Sequence, residues 1–183
     1  MRVFIGIAIP ESLRKRFQDF WADAPGKPTG FRPTAPENWH CTLAFLGEVG
    51  EEKIDALEHL LQTASERPPG GSFSFTNFET FPPKRPAYII VRAIPDPKDR
   101  WMSFIDRMRD MASVISPTID RKPWVPHVSL GRARKGILLP QWEHAFEPIA
   151  WKPTEISLVK SELTTTGSVY TDLRVFPLVS SVE

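Results

Sequence analysis

The tetrapeptide His40-Cys41-Thr42-Leu43 returns in the second half of the chain as His127-Val128-Ser129-Leu130. Both copies read histidine, apolar residue, hydroxyl residue, leucine. On an extended strand, residues two apart face the same side, roughly 6–7 Å apart along the chain. Each copy therefore presents an imidazole and a hydroxyl on one face and two apolar side chains on the other. The copies also sit in similar surroundings. An apolar run rich in β-branched residues, Val3 to Ile9, is stopped by Pro10 and leads into a helix with Leu13, Phe17, Phe20 and Trp21 on one stripe. The later run from Tyr88 to Ile94, stopped by Pro95, leads into a helical stretch over 98–114 with Trp101, Phe104, Ile105, Met108 and Met111 as its stripe.

The remaining segments complete the repeated order. Strands are expected over 39–46, 72–78, 125–133, 154–163 and 169–178, a helix over 51–64, and a short helical piece over 140–146. The implied architecture is α+β: two pseudo-symmetric lobes, each an antiparallel sheet with helices packed outside, forming a central cleft. The lobes correspond approximately to residues 1–83 and 84–183 of one bilobal domain spanning 1–183. The 19 prolines fall mostly between periodic segments, where they mark loops and strand starts and not a disordered tail. A chain of 183 residues with 41% hydrophobic and 25% charged residues has the composition of a folded soluble domain.

Facing strands carrying two imidazoles and two hydroxyls suit phosphate-ester chemistry without a metal. An unperturbed imidazole has a pKa of about 6.5, so one can accept a proton from water while the other donates one to a departing alkoxide. Thr42, Ser129 and a nearby cation can bind the non-bridging oxygens. A zinc site usually needs three or four protein ligands. His59 and His144 are expected on the surface, and Cys41 points away from His40 as a core residue. No metal and no cofactor are therefore expected.

Formal net charge is +1, so no global field draws the protein to nucleic acid or membrane. Locally, Arg121, Lys122, Arg132, Arg134 and Lys135 surround the second motif with no acid between them, which favours an anionic ligand there. Arg132 is the best candidate, because a guanidinium grips phosphate oxygens through two bonds. The lone cysteine fits a reducing cytoplasm, and the short apolar start lacks the length of a signal peptide or membrane helix. A cytoplasmic monomer is expected.

The chain resembles the two-histidine phosphoesterase superfamily, and more narrowly the bacterial and archaeal RNA 2′,3′-cyclic phosphodiesterases, also called 2′-5′ RNA ligases. The segments that carry the resemblance are 3–10, 36–49, 124–132 and the closing hairpin 163–173 with Gly167 and Tyr170. Ser129 departs from the family's usual threonine and Cys41 from a larger apolar residue. The resemblance implies hydrolysis of RNA ends or nucleotides bearing a 2′,3′-cyclic phosphate to 2′-phosphomonoesters. It also implies that His40 is the proton donor to the O3′ leaving group and His127 the proton acceptor that activates water. Phosphate binding falls to Thr42, Ser129 and Arg132, and base stacking to Phe45. The residues themselves do not distinguish acid from base. Phe45 lies three positions past Thr42, which on a regular strand places it on the core face, so stacking requires an irregularity near Ala44. ATP-independent 2′-5′ joining of RNA ends at the same site and a non-catalytic RNA-end binding module are the alternative readings.

Overall fold

A computed structural model of the chain describes residues 1–165 and 167–178. Thr166, within the expected closing hairpin, and residues 179–183, the end of the expected domain, lie outside the described residues. Among the described residues nine strands form one sheet: β1 (Arg2–Ala8), β2 (Phe31–Pro33), β3 (His40–Glu48), β4 (Ser72–Phe81), β5 (Tyr88–Asp96), β6 (His127–Ala133), β7 (Glu143–Trp151), β8 (Glu155–Leu163) and β9 (Ser168–Pro177). Their order is β7-β4-β5-β6-β3-β1-β8-β9, with β2 beside β6. Every pairing is antiparallel.

This order is two four-strand lobes back to back, β6-β5-β4-β7 and β3-β1-β8-β9, meeting at the two histidine strands. Strand partners cross between the sequence halves. β4, from the first half, pairs with β5, whereas β8, from the second, pairs with β1. The meeting of β3 with β6 is narrow, with Cys41 opposite Val128 as its one Cα pair.

The apolar stripes do what their spacing predicts. In β1, Val3, Ile5 and Ile7 enter the core, and alternate positions turn to the other face. Helices α1 (Glu11–Asp23), α2 (Ile54–Ser65) and α3 (Lys98–Ser113) bury Leu13 and Phe17, Leu57 and Leu61, and Trp101, Phe104, Ile105 and Met108. α3 packs on β5 and β3, and α2 on α3 and β9. Among the described residues, no helix is long and apolar enough to cross a membrane.

Two local expectations need correction. The helical piece expected over 140–146 is absent: residues 140–142 have no regular structure and Glu143 opens β7, the edge strand beside β4. Helix-forming residues there carry no helical stripe. Pairing with β4 satisfies the backbone instead, and Pro148, which has no N–H to donate, falls where the register with β4 slips between Ala145 and Ile149 on an edge strand. The Pro/Gly-rich stretch after α1 contains a short strand, β2, that its own propensities do not announce. It forms because β6 supplies a partner from Gly131 to Ala133.

Candidate active site

The two histidine strands are matched residue by residue. Ala8, Gly6, Ile5 and Phe4 of β1 lie opposite His40, Thr42, Ala44 and Phe45 of β3. Arg92, Ile90, Ile89 and Tyr88 of β5 lie opposite His127, Ser129, Gly131 and Arg132 of β6. In each ladder one leucine, Leu43 or Leu130, is passed over, so both strands carry a bulge directly after the hydroxyl residue. The extra residue reverses the alternation. Leu43 and Ala44 are both buried, as are Leu130 and Gly131, and the next side chain returns to the histidine face. Phe45 and Arg132 thus occupy equivalent places on the histidine-bearing face, five residues beyond the imidazoles, and the irregularity that stacking by Phe45 requires is present.

Each histidine is oriented in the same way. Nδ1–H of His40 donates to the Asn38 carbonyl at 2.8 Å, and Nδ1–H of His127 to the Val125 carbonyl at 2.7 Å. Nε2 of each ring is left without a hydrogen-bond partner among the described residues. The hydroxyls of Thr42 and Ser129 make no hydrogen bond with another described residue, so they are available to a ligand. Burial pushes both imidazoles below the ordinary value of 6.5, while the carbonyls they bond oppose that shift. The surrounding charges then differ. His127 lowers and Asp172 raises the pKa of His40, whereas Arg92 lowers and Glu79 raises that of His127.

The flanks of the two rings differ in kind. His40 stacks on Phe4 at 4.5 Å between centroids and meets the edge of Tyr170 at 5.0 Å. His40, Tyr170 and Asp172 line one cavity of about 90 Å³. The Asn38 side chain donates to the Ser168 carbonyl at 3.1 Å, which ties the β8–β9 hairpin to the segment leading into His40. His127 lies against Phe81 at 5.6 Å, and the Arg92 guanidinium, ion-paired with Glu79, sits over that same ring. Asn77 bonds Glu79 and Glu143 at 2.9 and 3.1 Å and completes this polar network.

Of the residues expected from the sequence, His40, Thr42, His127, Ser129, Phe45 and Arg132 all lie on this face. The Arg132 guanidinium is exposed and stands 5.5 Å from the Tyr88 ring centre; Arg2 stands 4.7 Å from that of Phe45. Cys41 is buried in the core, and burial pushes its thiol up to about 12. His59 is exposed and His144 is half-buried against Trp142. Among the described residues, no group of three or more His, Cys, Asp or Glu side chains is placed to hold a metal ion. Sequence reasoning missed Phe4, Arg92, Tyr170 and Asp172 as neighbours of the imidazoles. For Arg92 a signal exists, since β5 is the strand that precedes the second motif just as β1 precedes the first.

The chain matches the family model described as LigT like Phosphoesterase over residues 7–91. It is 32% identical to the RNA 2′,3′-cyclic phosphodiesterase of Thermotoga maritima over 93% of this chain and 91% of that protein. It is 28% identical to the RNA 2′,3′-cyclic phosphodiesterase of Escherichia coli over 97% and 96%. Among solved structures, one from Thermus thermophilus superposes with a TM-score of 0.82 at 26% identity, over 97% of this chain and 98% of that one. The E. coli LigT complexed with 3′-AMP superposes with a TM-score of 0.78 at 26% identity, over 98% of each chain.

Proposed function

The chain belongs to the LigT-like phosphoesterase family of RNA 2′,3′-cyclic phosphodiesterases, and on that premise we propose that it hydrolyses 2′,3′-cyclic phosphate ends of RNA to 2′-phosphomonoesters, with His40 as acid and His127 as base. The observation that carries this reading is the matched pair of imidazoles. Both have Nδ1–H committed to a backbone carbonyl, which leaves Nε2 for chemistry, and each stands two residues before a hydroxyl on the same strand face.

In this reading the cyclic phosphate lies between the two Nε2 atoms. Nε2 of His127 takes a proton from water as its oxygen bonds phosphorus. The P–O3′ bond breaks, and Nε2–H of His40 gives its proton to O3′. The products are a 2′-phosphate and a free 3′-hydroxyl, and proton exchange with solvent resets both rings. Thr42, Ser129 and Arg132 hold the non-bridging oxygens, and Phe45 stacks on the base. Beyond the burial that lowers both imidazoles, Asp172 favours the protonated form of His40 against the opposing effect of His127, and Arg92 favours the neutral form of His127 against that of Glu79; the assignment of roles draws on Asp172 and Arg92. Because burial lowers both pKa values in the free protein, the bound phosphate anion supplies the extra negative charge that protonates His40.

Both histidines come from one chain, so the site is complete in a monomer formed by a single bilobal domain. The buried, unpaired thiol of Cys41 fits a reducing cytoplasm. Proton transfers assigned wholly to imidazoles need no metal. Hydrolysis of a 2′,3′-cyclic nucleotide after exhaustive treatment with EDTA, with the product isomer identified by phosphorus NMR, tests the whole reading. Undiminished turnover to the 2′-phosphate is expected. Turnover that vanishes and returns with zinc or manganese, or a 3′-phosphate product, overturns it.

A further inference from the structure

Arg109 stands within the buried stripe of α3 among Phe104, Ile105, Met108 and Ala112, and is only 8% exposed. Burying a guanidinium among apolar side chains is costly unless its donors are bonded. Its bonds run to the backbone of both histidine segments. Nη2 donates to the Leu43 carbonyl at 3.4 Å, and Nη1 to the Lys122 carbonyl at 3.0 Å. Leu43 is the bulge residue of β3, and Lys122 lies in the segment leading to His127. Nε finds no partner among the described residues, which adds to the cost of burying this guanidinium. Asp106 and Asp120 favour that charge against the burial that opposes it.

The surrounding bonds show what this contact belongs to. Past Cys41, β3 has no strand on its β6 side among the described residues. The chain from α3 to β6 takes its place. Trp124 Nε1 donates to the Thr42 carbonyl at 2.8 Å, the Asp120 N–H to that of Phe45 at 3.0 Å, and the Ser116 and Thr118 hydroxyls to that of Leu46 at 2.5 and 3.1 Å. The side chain that reaches Leu43 from this side is Arg109. The other lobe solves the same problem with backbone: β2 pairs with β6, and the Thr34 N–H donates to the carbonyl of its bulge residue, Leu130, at 2.8 Å. Arg109 is the side-chain counterpart of that main-chain bond.

We propose that Arg109 is a positioning residue for the two-histidine site. By holding the Leu43 and Lys122 carbonyls together, it keeps the β3 bulge in place, and with it the placement of Thr42 and Phe45 and the spacing of the two histidine strands. This inference rests on the proposed function of the cleft. It does not place Arg109 in contact with substrate.

The test is Arg109→Met beside Arg109→Lys, studied well below their melting temperatures. Two readouts are taken: amide hydrogen exchange at Asp120, and kcat and KM for a 2′,3′-cyclic nucleotide. Arg109→Met should speed exchange at Asp120 while leaving β8 and β9 protected, and lower kcat/KM by roughly 10-fold to 100-fold through misplacement alone. Arg109→Lys should recover part of the loss, since one ammonium can reach one carbonyl; it also decides the matter if the methionine variant does not fold. Folded variants with wild-type exchange at Asp120, or with wild-type kcat and KM, overturn the proposal. Failure of the proposed function would look different: His40→Ala would retain turnover, while exchange at Asp120 would still report whether the brace exists.

Discussion

Beside His40 the neighbouring strand places Ala8, and beside His127 it places Arg92; beyond these, Ser157 stands across from Gly6 where Glu79 stands across from Ile90. The backbone frame is the same in both lobes, down to the bulge and the carbonyl that receives each Nδ1–H. The charges within the frame are not. One ring is packed between Phe4 and Tyr170 with Asp172 nearby, and the other is set beside an Arg92–Glu79 ion pair. A repeated backbone thus supplies two imidazoles held alike, and unlike neighbours surround them, which is the basis of the opposite tasks proposed for them. The same division appears one bulge further on, where one lobe presents an aromatic ring, Phe45, and the other a guanidinium, Arg132.

The sharpest way to break this comparison is to remove each imidazole. His40→Ala and His127→Ala should each lower kcat by about 10²–10⁴-fold on a 2′,3′-cyclic nucleotide. An aryl phosphodiester whose 4-nitrophenolate leaves without a proton should separate them. His40→Ala should lose little on that substrate, and His127→Ala should lose as much as before. Equal losses on both substrates would show that the roles are not divided as assigned.

At the next level the two bulge neighbours should fail differently. Arg132→Ala should lower kcat/KM by roughly 10-fold to 100-fold, the scale of a hydrogen bond to a charged group, and do so alike for all four cyclic nucleotides. Arg132→Lys should restore only part, because the forked geometry is lost. Phe45→Ala should mainly raise KM, by about tenfold, near the lower end of what base stacking contributes. Unchanged kinetics with a lower melting temperature in Phe45→Ala would identify that ring as structural only.

The smallest effects should come from the charges that break the symmetry. Histidine titration by NMR should find both pKa values below 6.5 in the free protein, since burial dominates each, and the bell-shaped profile of kcat/KM should accordingly be centred on the acid side of that value. Arg92→Gln removes a cation and leaves Glu79 unopposed, so the pKa of His127 should rise. Asp172→Asn removes an anion, so that of His40 should fall. Each change reduces the share of molecules with His40 protonated and His127 neutral, and each should therefore lower kcat/KM at its optimum. The same pKa shifts accompanied by a rise in kcat/KM at its optimum would assign the acid and the base the other way round.

The faces of the two motifs were readable from the chain because they depend on strand period alone. His40 and Thr42, like His127 and Ser129, share a face in any extended backbone, and Cys41 and Val128 must then face the core. The apolar stripes of α1 and α3 follow from helical period in the same way. Where a residue's place depends on a partner strand, the chain is silent. Nothing near Ala44 announces the bulge that brings Phe45 back to the cleft, because a passed-over leucine exists only relative to β1. The start of β7 and the whole of β2 are illegible in the chain for the same reason: β4 and β6 supply the hydrogen bonds that their own residues do not predict.

What the sequence by itself determined is the pair of imidazole–hydroxyl faces, the α+β order of elements and, through the motifs, the chemistry those faces can perform. Only the tertiary structure decided that β4 and β8 cross between the halves, that Arg92 and Asp172 lie near opposite histidines, and that Arg109 bonds the β3 bulge from behind. The physical reason is range. Side-chain direction along a strand is set by covalent geometry over two residues, whereas the charges, carbonyls and bulges that distinguish the two histidines come from segments that meet only when the sheet closes.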